Sequence, residues 1–192
     1  MTRFWWVRHG PTHEKAFVGW RDVPADLSDI ARIARLDAHL PKGAILVSSD
    51  LVRASATAAA LANGREALPA DPALREINFG AWDGLHWSEA SARDPDLTRA
   101  FWETPGDIAP PDGESWNAVA ARVDGFVAQI LAAHPGRDIV AVAHFGVILT
   151  RVQQAGGLTA QAALAHSVEP LSVTQTEHTA AGWHLGEIGT CP

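Results

Sequence analysis

Three short apolar runs punctuate the chain: Phe4-Trp5-Trp6-Val7, Ala44-Ile45-Leu46-Val47 and Ile139-Val140-Ala141-Val142-Ala143. Each is too short for a helix and rich in aromatic or β-branched residues, the pattern of a strand buried on both faces. Between them the apolar period lengthens to that of a helix. Ile30, Ile33, Ala34, Leu36 and Leu40 share one face, and Pro41 and Gly43 stop it. Ser48-Ser49-Asp50 is expected to cap a helix from Leu51 to Ala62, with a short edge strand over Glu66 to Ala70. Shorter helices are expected over His86 to Ala92 and Asp96 to Trp102. A stronger one starts at Glu114-Ser115, carries Trp116, Val119, Val123, Phe126, Val127, Ile130 and Leu131 on one face, and ends at His134-Pro135-Gly136. Helices from about Val147 to Gln154 and from Ala160 to Ala165 follow the third apolar run. Leu171 to Glu177 then alternates apolar with polar or Thr residues and predicts a hairpin with Trp183 to Ile188. Three βα units followed by a hairpin predict an α/β fold in three α/β/α layers, with a mainly parallel sheet and an antiparallel edge.

Length and composition narrow the picture only a little. A chain of 192 residues fits one domain over 1–192, with the stretch of about 81–112 read as a lid-like insertion. A hydrophobic share of 47% with 19% charged residues is ordinary for a soluble globular protein, and no run approaches membrane-spanning length. The net charge of −7 argues against a nucleic-acid partner, so positive potential has to be local and clustered arginines become informative. Cys191 is the single cysteine, which excludes an intrachain disulfide and fits a cytoplasmic protein.

Position along the strands carries more. The three buried runs end in Arg8-His9, in Ser48-Ser49-Asp50 just before Arg53, and in His144. Ligands of open α/β sheets bind at the carboxyl ends of the strands, and right-handed crossovers place these three ends on one rim. Taken singly, Arg53 reads more readily as an exposed helix residue and His144 as a satisfied core histidine. Jointly they predict two arginines and two histidines around an anion such as phosphate, with Glu76 as a nearby carboxylate.

Arg8-His9-Gly10-Pro11-Thr12 resembles the signature of the histidine phosphatase superfamily, the phosphoglycerate mutase-like proteins. Further blocks follow in the family's order: Ser48 to Ala54, Leu74-Arg75-Glu76 through Gly84, Gly113-Glu114-Ser115, and Val142-Ala143-His144. The resemblance implies a phosphomonoester hydrolase working through a phosphohistidine. His9 is the implied nucleophile, an imidazole being free to attack near neutral pH. Arg8, Arg53 and a protonated His144 are the implied donors to the transferring phosphoryl group, and Glu76 the implied acid and base. The implied substrate-binding set is Arg8, Thr12, Lys15, Arg21, Arg53 and His144, with no cofactor and no metal. Lys15 stands where the family usually has asparagine, and the bulky Phe145 where a small residue commonly follows the second histidine.

Within the family, a cofactor-dependent mutase carries further paired arginines that this chain lacks, which favours a phosphatase. The α-ribazole phosphatase-like branch is most similar in length and in its Gly-Glu-Ser block, so α-ribazole 5′-phosphate is the implied substrate. A mutase-type phosphotransferase and a non-catalytic phosphate-ligand-binding member are the alternatives. The expected partner is a small phosphorylated molecule, with no nucleic acid and no membrane, and the sequence leaves a homodimer open. Trp20, Trp82, Trp87 and Trp102 are candidates for stacking on an aromatic leaving group, although lid and core packing explains them more readily.

Overall fold

A computed structural model describes residues 1–192. Six strands form one sheet: β1 (Thr2–Arg8), β2 (Ile45–Ser48), β3 (Glu66–Ala67), β4 (Asp138–Ala143), β5 (Val173–Thr179) and β6 (Gly182–Leu185), in the order β3-β2-β4-β1-β5-β6. β1, β2, β3 and β4 run parallel, whereas β5 is antiparallel to β1 and β6 to β5. The α/β architecture expected from the apolar pattern is therefore present, mixed edge included. β3 is shorter than expected because pairing covers only Ile45–Glu66 and Leu46–Ala67 before Pro69.

Seven helices flank the sheet: α1 (Ile30–His39), α2 (Val52–Ala60), α3 (Trp87–Arg93), α4 (Pro95–Glu103), α5 (Trp116–Ala133), α6 (Phe145–Gly156) and α7 (Ala160–Leu164). Alternation along β1 divides the interior. Phe4 and Trp6 point into the larger core with α5 and α6, and Val7 into a smaller one with Ile33, Leu36 and Leu40 of α1 and Ala54 and Ala58 of α2. Stretch 81–112 is anchored in the larger core, since Trp82, Ala90 and Phe101 are buried there among Phe79 and Trp116. No helix is long and apolar enough to cross a membrane.

Register positions the site. Arg8 pairs with Ala143, and Ser48 with Val142, so β1, β2 and β4 end at one level of the sheet. β4 enters between the two earlier strands and sets His144 next to His9, whose N–H continues the ladder to the Ala143 carbonyl at 3.1 Å.

The capping of α2 differs from expectation. Asp50 does not cap it, because both oxygens of its carboxylate accept from Arg75, at 2.7 and 2.6 Å. Leu51 occupies the cap position with no side-chain bond, and the first helical N–H, that of Val52, donates instead to Asp22 Oδ1 at 2.7 Å. The helix is therefore fastened at its start to the polar loop that follows β1. A remote carboxylate satisfies the orphan donor as well as a local one does.

Candidate active site

His9 follows β1 directly and is almost fully buried. Its Nδ1 lies 2.7 Å from the Gly10 carbonyl oxygen, which can only accept, so Nδ1 carries the proton and Nε2 keeps its lone pair. Burial, with Arg53 and Arg8 adding repulsion, pushes the imidazole pKa down to about 3, against the favourable Gly10 contact. The ring is neutral at cellular pH. Gly10 is held in turn: its N–H donates to Thr57 Oγ1 at 3.0 Å, and that hydroxyl donates to the Arg53 carbonyl at 2.7 Å.

His144 caps β4 and is completely buried, its ring centroid 5.0 Å from that of His9. Arg53 Nε donates to His144 Nδ1 at 3.2 Å. That bond places the ring proton on Nε2, a buried donor with no partner. The expectation of a protonated His144 is therefore corrected. Burial first, then His9 and three arginines, hold its pKa well below the ordinary imidazole range.

Arg53 sits in the first turn of α2, buried. Removing a guanidinium from water costs on the order of several kcal/mol unless its donors are satisfied. Here NH1 donates to the Arg21 carbonyl at 2.9 Å and NH2 to the Gly19 carbonyl at 2.6 Å, so the cation also fixes the 18–21 loop. Arg8 donates from NH1 to the Val168 carbonyl at 2.6 Å and lies 5.5 Å from the Phe145 ring centroid, while its buried Nε has no partner.

Glu76 reaches the site from the loop before α3. Its Oε1 accepts two backbone N–H bonds at 2.9 Å, from Ile77 and from Gly146 in the first turn of α6. Burial raises its pKa above the ordinary carboxylate value, despite those bonds and the two arginines pulling the other way. Only glycine fits at 146, since a Cβ there would stand 2.6 Å from Glu76 Oε1 and 2.7 Å from Ile77.

Arg8, His9, Arg53 and Glu76 open into one pocket of about 250 Å³, lined also by Thr12, Glu14, Ala16, Phe17, Val18, Phe79, Trp102 and Phe145. Of the expected binding set, Lys15, Arg21 and the wholly buried His144 do not line it. Lys15 is exposed, with its neighbours Glu14 and Ala16 on the wall instead. Arg21 is turned outward onto Glu14 at 3.0 Å and Asp83 at 3.4 Å, and only its backbone carbonyl serves Arg53. Of the four tryptophans, only Trp102 lines the pocket. Trp82 is core, Trp87 is exposed, and Trp20 donates from Nε1 to the Glu76 carbonyl at 2.9 Å beneath Arg75.

Several supporting residues escaped sequence reasoning. Asp83 accepts from the N–H groups of Gly19, Trp20 and Arg21, at 3.1, 3.0 and 3.0 Å. Arg122 of α5 donates to the carbonyls of Ala73 and Glu76, at 2.8 and 2.9 Å, and pairs with Glu114, which accepts from the Asn78 N–H at 2.9 Å. The Gly-Glu-Ser block was a visible signal for Glu114. Arg122 carried no signal, because its partners are backbone atoms far away in the chain. The remaining histidines do not gather, and no cluster of three or more His, Cys, Asp or Glu side chains is assembled that could hold a metal.

A family model described as histidine phosphatase superfamily (branch 1) matches residues 4–190. A bifunctional protein of Mycobacterium tuberculosis is 38% identical over 128 residues, and the match spans 66% of this chain but only 33% of that relative's length. A glucosyl-3-phosphoglycerate phosphatase of the same organism is 34% identical over 158 residues, covering 74% of this chain and 70% of the relative. The adenosylcobalamin/alpha-ribazole phosphatase of Escherichia coli is 27% identical over 167 residues, covering 83% and 82%. Among solved structures, YhfR of Bacillus stearothermophilus superposes with a TM-score of 0.90 at 27% identity, over 100% of this chain and 98% of that one.

Proposed function

This chain belongs to branch 1 of the histidine phosphatase superfamily, and from that premise we propose that it is a phosphatase, hydrolysing a small phosphate monoester through a phosphohistidine on His9. The observation that carries the reading is the pairing of one free lone pair with two unsatisfied donors. His9 Nε2 is unprotonated, the His144 ring centroid is 5.0 Å from that of His9, and His144 Nε2 and Arg8 Nε are buried without partners. A buried polar group left unpaired costs about 1–3 kcal/mol, and an anion between these groups would recover that. Arg8 and Arg53 supply the positive charge that the equatorial oxygens need as transfer proceeds.

In the first step the Nε2 lone pair of His9 forms the N–P bond while the bond from phosphorus to the leaving oxygen breaks. That oxygen takes its proton from Glu76, whose raised pKa suits an acid. In the second step water attacks phosphorus and gives a proton to the Glu76 carboxylate. The N–P bond breaks, its electrons return to Nε2, and inorganic phosphate leaves. The neutral His144 contributes its Nε2–H to the transferring group throughout.

A mutase must also hold the rest of a doubly anionic substrate, and the pocket has no cation beyond Arg8 and Arg53. α-Ribazole 5′-phosphate is the specific substrate we put forward, supported by the Escherichia coli relative and by the aromatic wall. A phosphate-release screen over p-nitrophenyl phosphate and nucleotide, sugar and ribazole monophosphates tests both levels. Release from p-nitrophenyl phosphate is expected, with the ribazole ester hydrolysed fastest. Equal, feeble release from all esters rejects the ribazole role, and phosphate binding without any release makes the chain a non-catalytic member.

A further inference from the structure

The two pocket arginines are held by different means. Arg53 is gripped at three nitrogens, with Nε on His144 and the terminal nitrogens on the Arg21 and Gly19 carbonyls. Arg8 has a single hydrogen bond, from Nη1 to the Val168 carbonyl at 2.6 Å, and its buried Nε has no partner. A guanidinium fixed at one nitrogen can swing about that bond. Against it lies the ring of Phe145, whose centroid is 5.5 Å from Arg8 Cζ. That ring is itself anchored. Phe145 opens α6, packs against the larger core and reaches the pocket wall, and the N–H of the next residue, Gly146, donates to Glu76 Oε1 at 2.9 Å.

A cation within about 6 Å of an aromatic centroid is attracted by the ring quadrupole, and the attraction strengthens as water is removed. Burial lowers the Arg8 pKa, the mark of a guanidinium that has lost hydration. The ring face compensates for that loss without occupying an N–H, as a carbonyl or carboxylate would. Resting on the phosphatase reading above, we propose that Phe145 is a positioning residue: its ring face holds the Arg8 guanidinium in one orientation and leaves Nε and Nη2 to donate to the phosphoryl group. A small residue at 145 would let water take those donors. An aliphatic one would close the wall but offer the cation no quadrupole.

Calorimetric titration of the full chain with inorganic phosphate tests this, because phosphate carries no leaving group for Phe145 to touch. Phe145→Leu is expected to weaken phosphate binding by about 3–20-fold, the worth of a partly desolvated cation–π contact. Phe145→Tyr, which keeps the face, is expected to stay within about twofold of wild type. Placing trifluorophenylalanine at position 145 keeps the shape but withdraws negative charge from the face, so it is expected to weaken binding nearly as far as leucine does. Equal affinity of the trifluoro protein and wild type overturns the inference, as does a loss with tyrosine as large as that with leucine. Turnover of p-nitrophenyl phosphate is read in parallel. Wild type that binds phosphate without releasing p-nitrophenol would remove the phosphatase reading, and the titration would still decide the role of Phe145.

Discussion

The floor of the pocket and its far wall are built by different means. His9 and His144 follow directly on neighbouring parallel strands, and their positions are set by the ladder that pairs Arg8 with Ala143. Glu76 comes from a loop with no ladder. Its place is set by side chains binding backbone: Arg122 on the carbonyls of Ala73 and Glu76, Glu114 on the Asn78 N–H, and Trp20 on the Glu76 carbonyl. Main-chain pairing fixes the proposed nucleophile without spending side chains. A loop acid needs a dedicated scaffold, and each scaffold bond is a point at which one substitution can loosen it.

Removing the acid itself should have the largest effect on the wall. Glu76→Gln keeps the Oε1 contacts to Ile77 and Gly146 within reach but loses the titrating proton. Hydrolysis of an alkyl phosphate is expected to fall by about 10²–10⁴-fold, the usual worth of general acid–base catalysis. The sign of the pH dependence follows from the two shifts. His9 must be unprotonated, and burial holds its pKa at about 3, so activity is retained well into acid. Glu76 must be protonated for the first step, and burial raises its pKa, so wild-type kcat/KM falls as pH rises through that raised value. The alkaline limb should be absent from the Glu76→Gln profile. An unchanged limb would assign the acid to another group.

A smaller effect is expected from loosening the scaffold. Arg122→Ala frees the Ala73 and Glu76 carbonyls and leaves Glu114 without its ion pair. kcat for alkyl esters is expected to drop by roughly tenfold with KM nearly unchanged, since Arg122 does not line the pocket. With p-nitrophenyl phosphate, whose leaving group needs little protonation, the drop in the phosphorylation step should largely vanish. Equal losses on both esters would mean a general structural role for Arg122, not one of positioning Glu76.

The same contrast explains what the sequence made legible. Apolar runs such as Phe4–Val7 and Ile139–Ala143 announce buried parallel strands, and the residues that follow them are on the rim wherever the strands pair. The floor was therefore readable from residue types and order. The wall was not. Asp50 has the chemistry of a helix cap, and nothing local reveals that Arg75 takes its carboxylate while Asp22 serves α2. Lys15 and Arg21 have the charge of phosphate ligands, yet the loop after β1 turns Lys15 to solvent and folds Arg21 onto Asp83. The charge state of His144 was hidden for a similar reason. It depends on a bond from Arg53, 91 residues earlier in the chain.

Phosphoenzyme trapping tests the central claim most directly. Wild type, His9→Ala and Glu76→Gln are mixed with labelled p-nitrophenyl phosphate, quenched in base, and assayed for protein-bound phosphate that is stable to base and labile to acid. Label is expected on wild type, with more on Glu76→Gln because water then lacks its base, and none on His9→Ala. Label that persists in His9→Ala would contradict the account, since the phosphoryl group would then be carried by another residue.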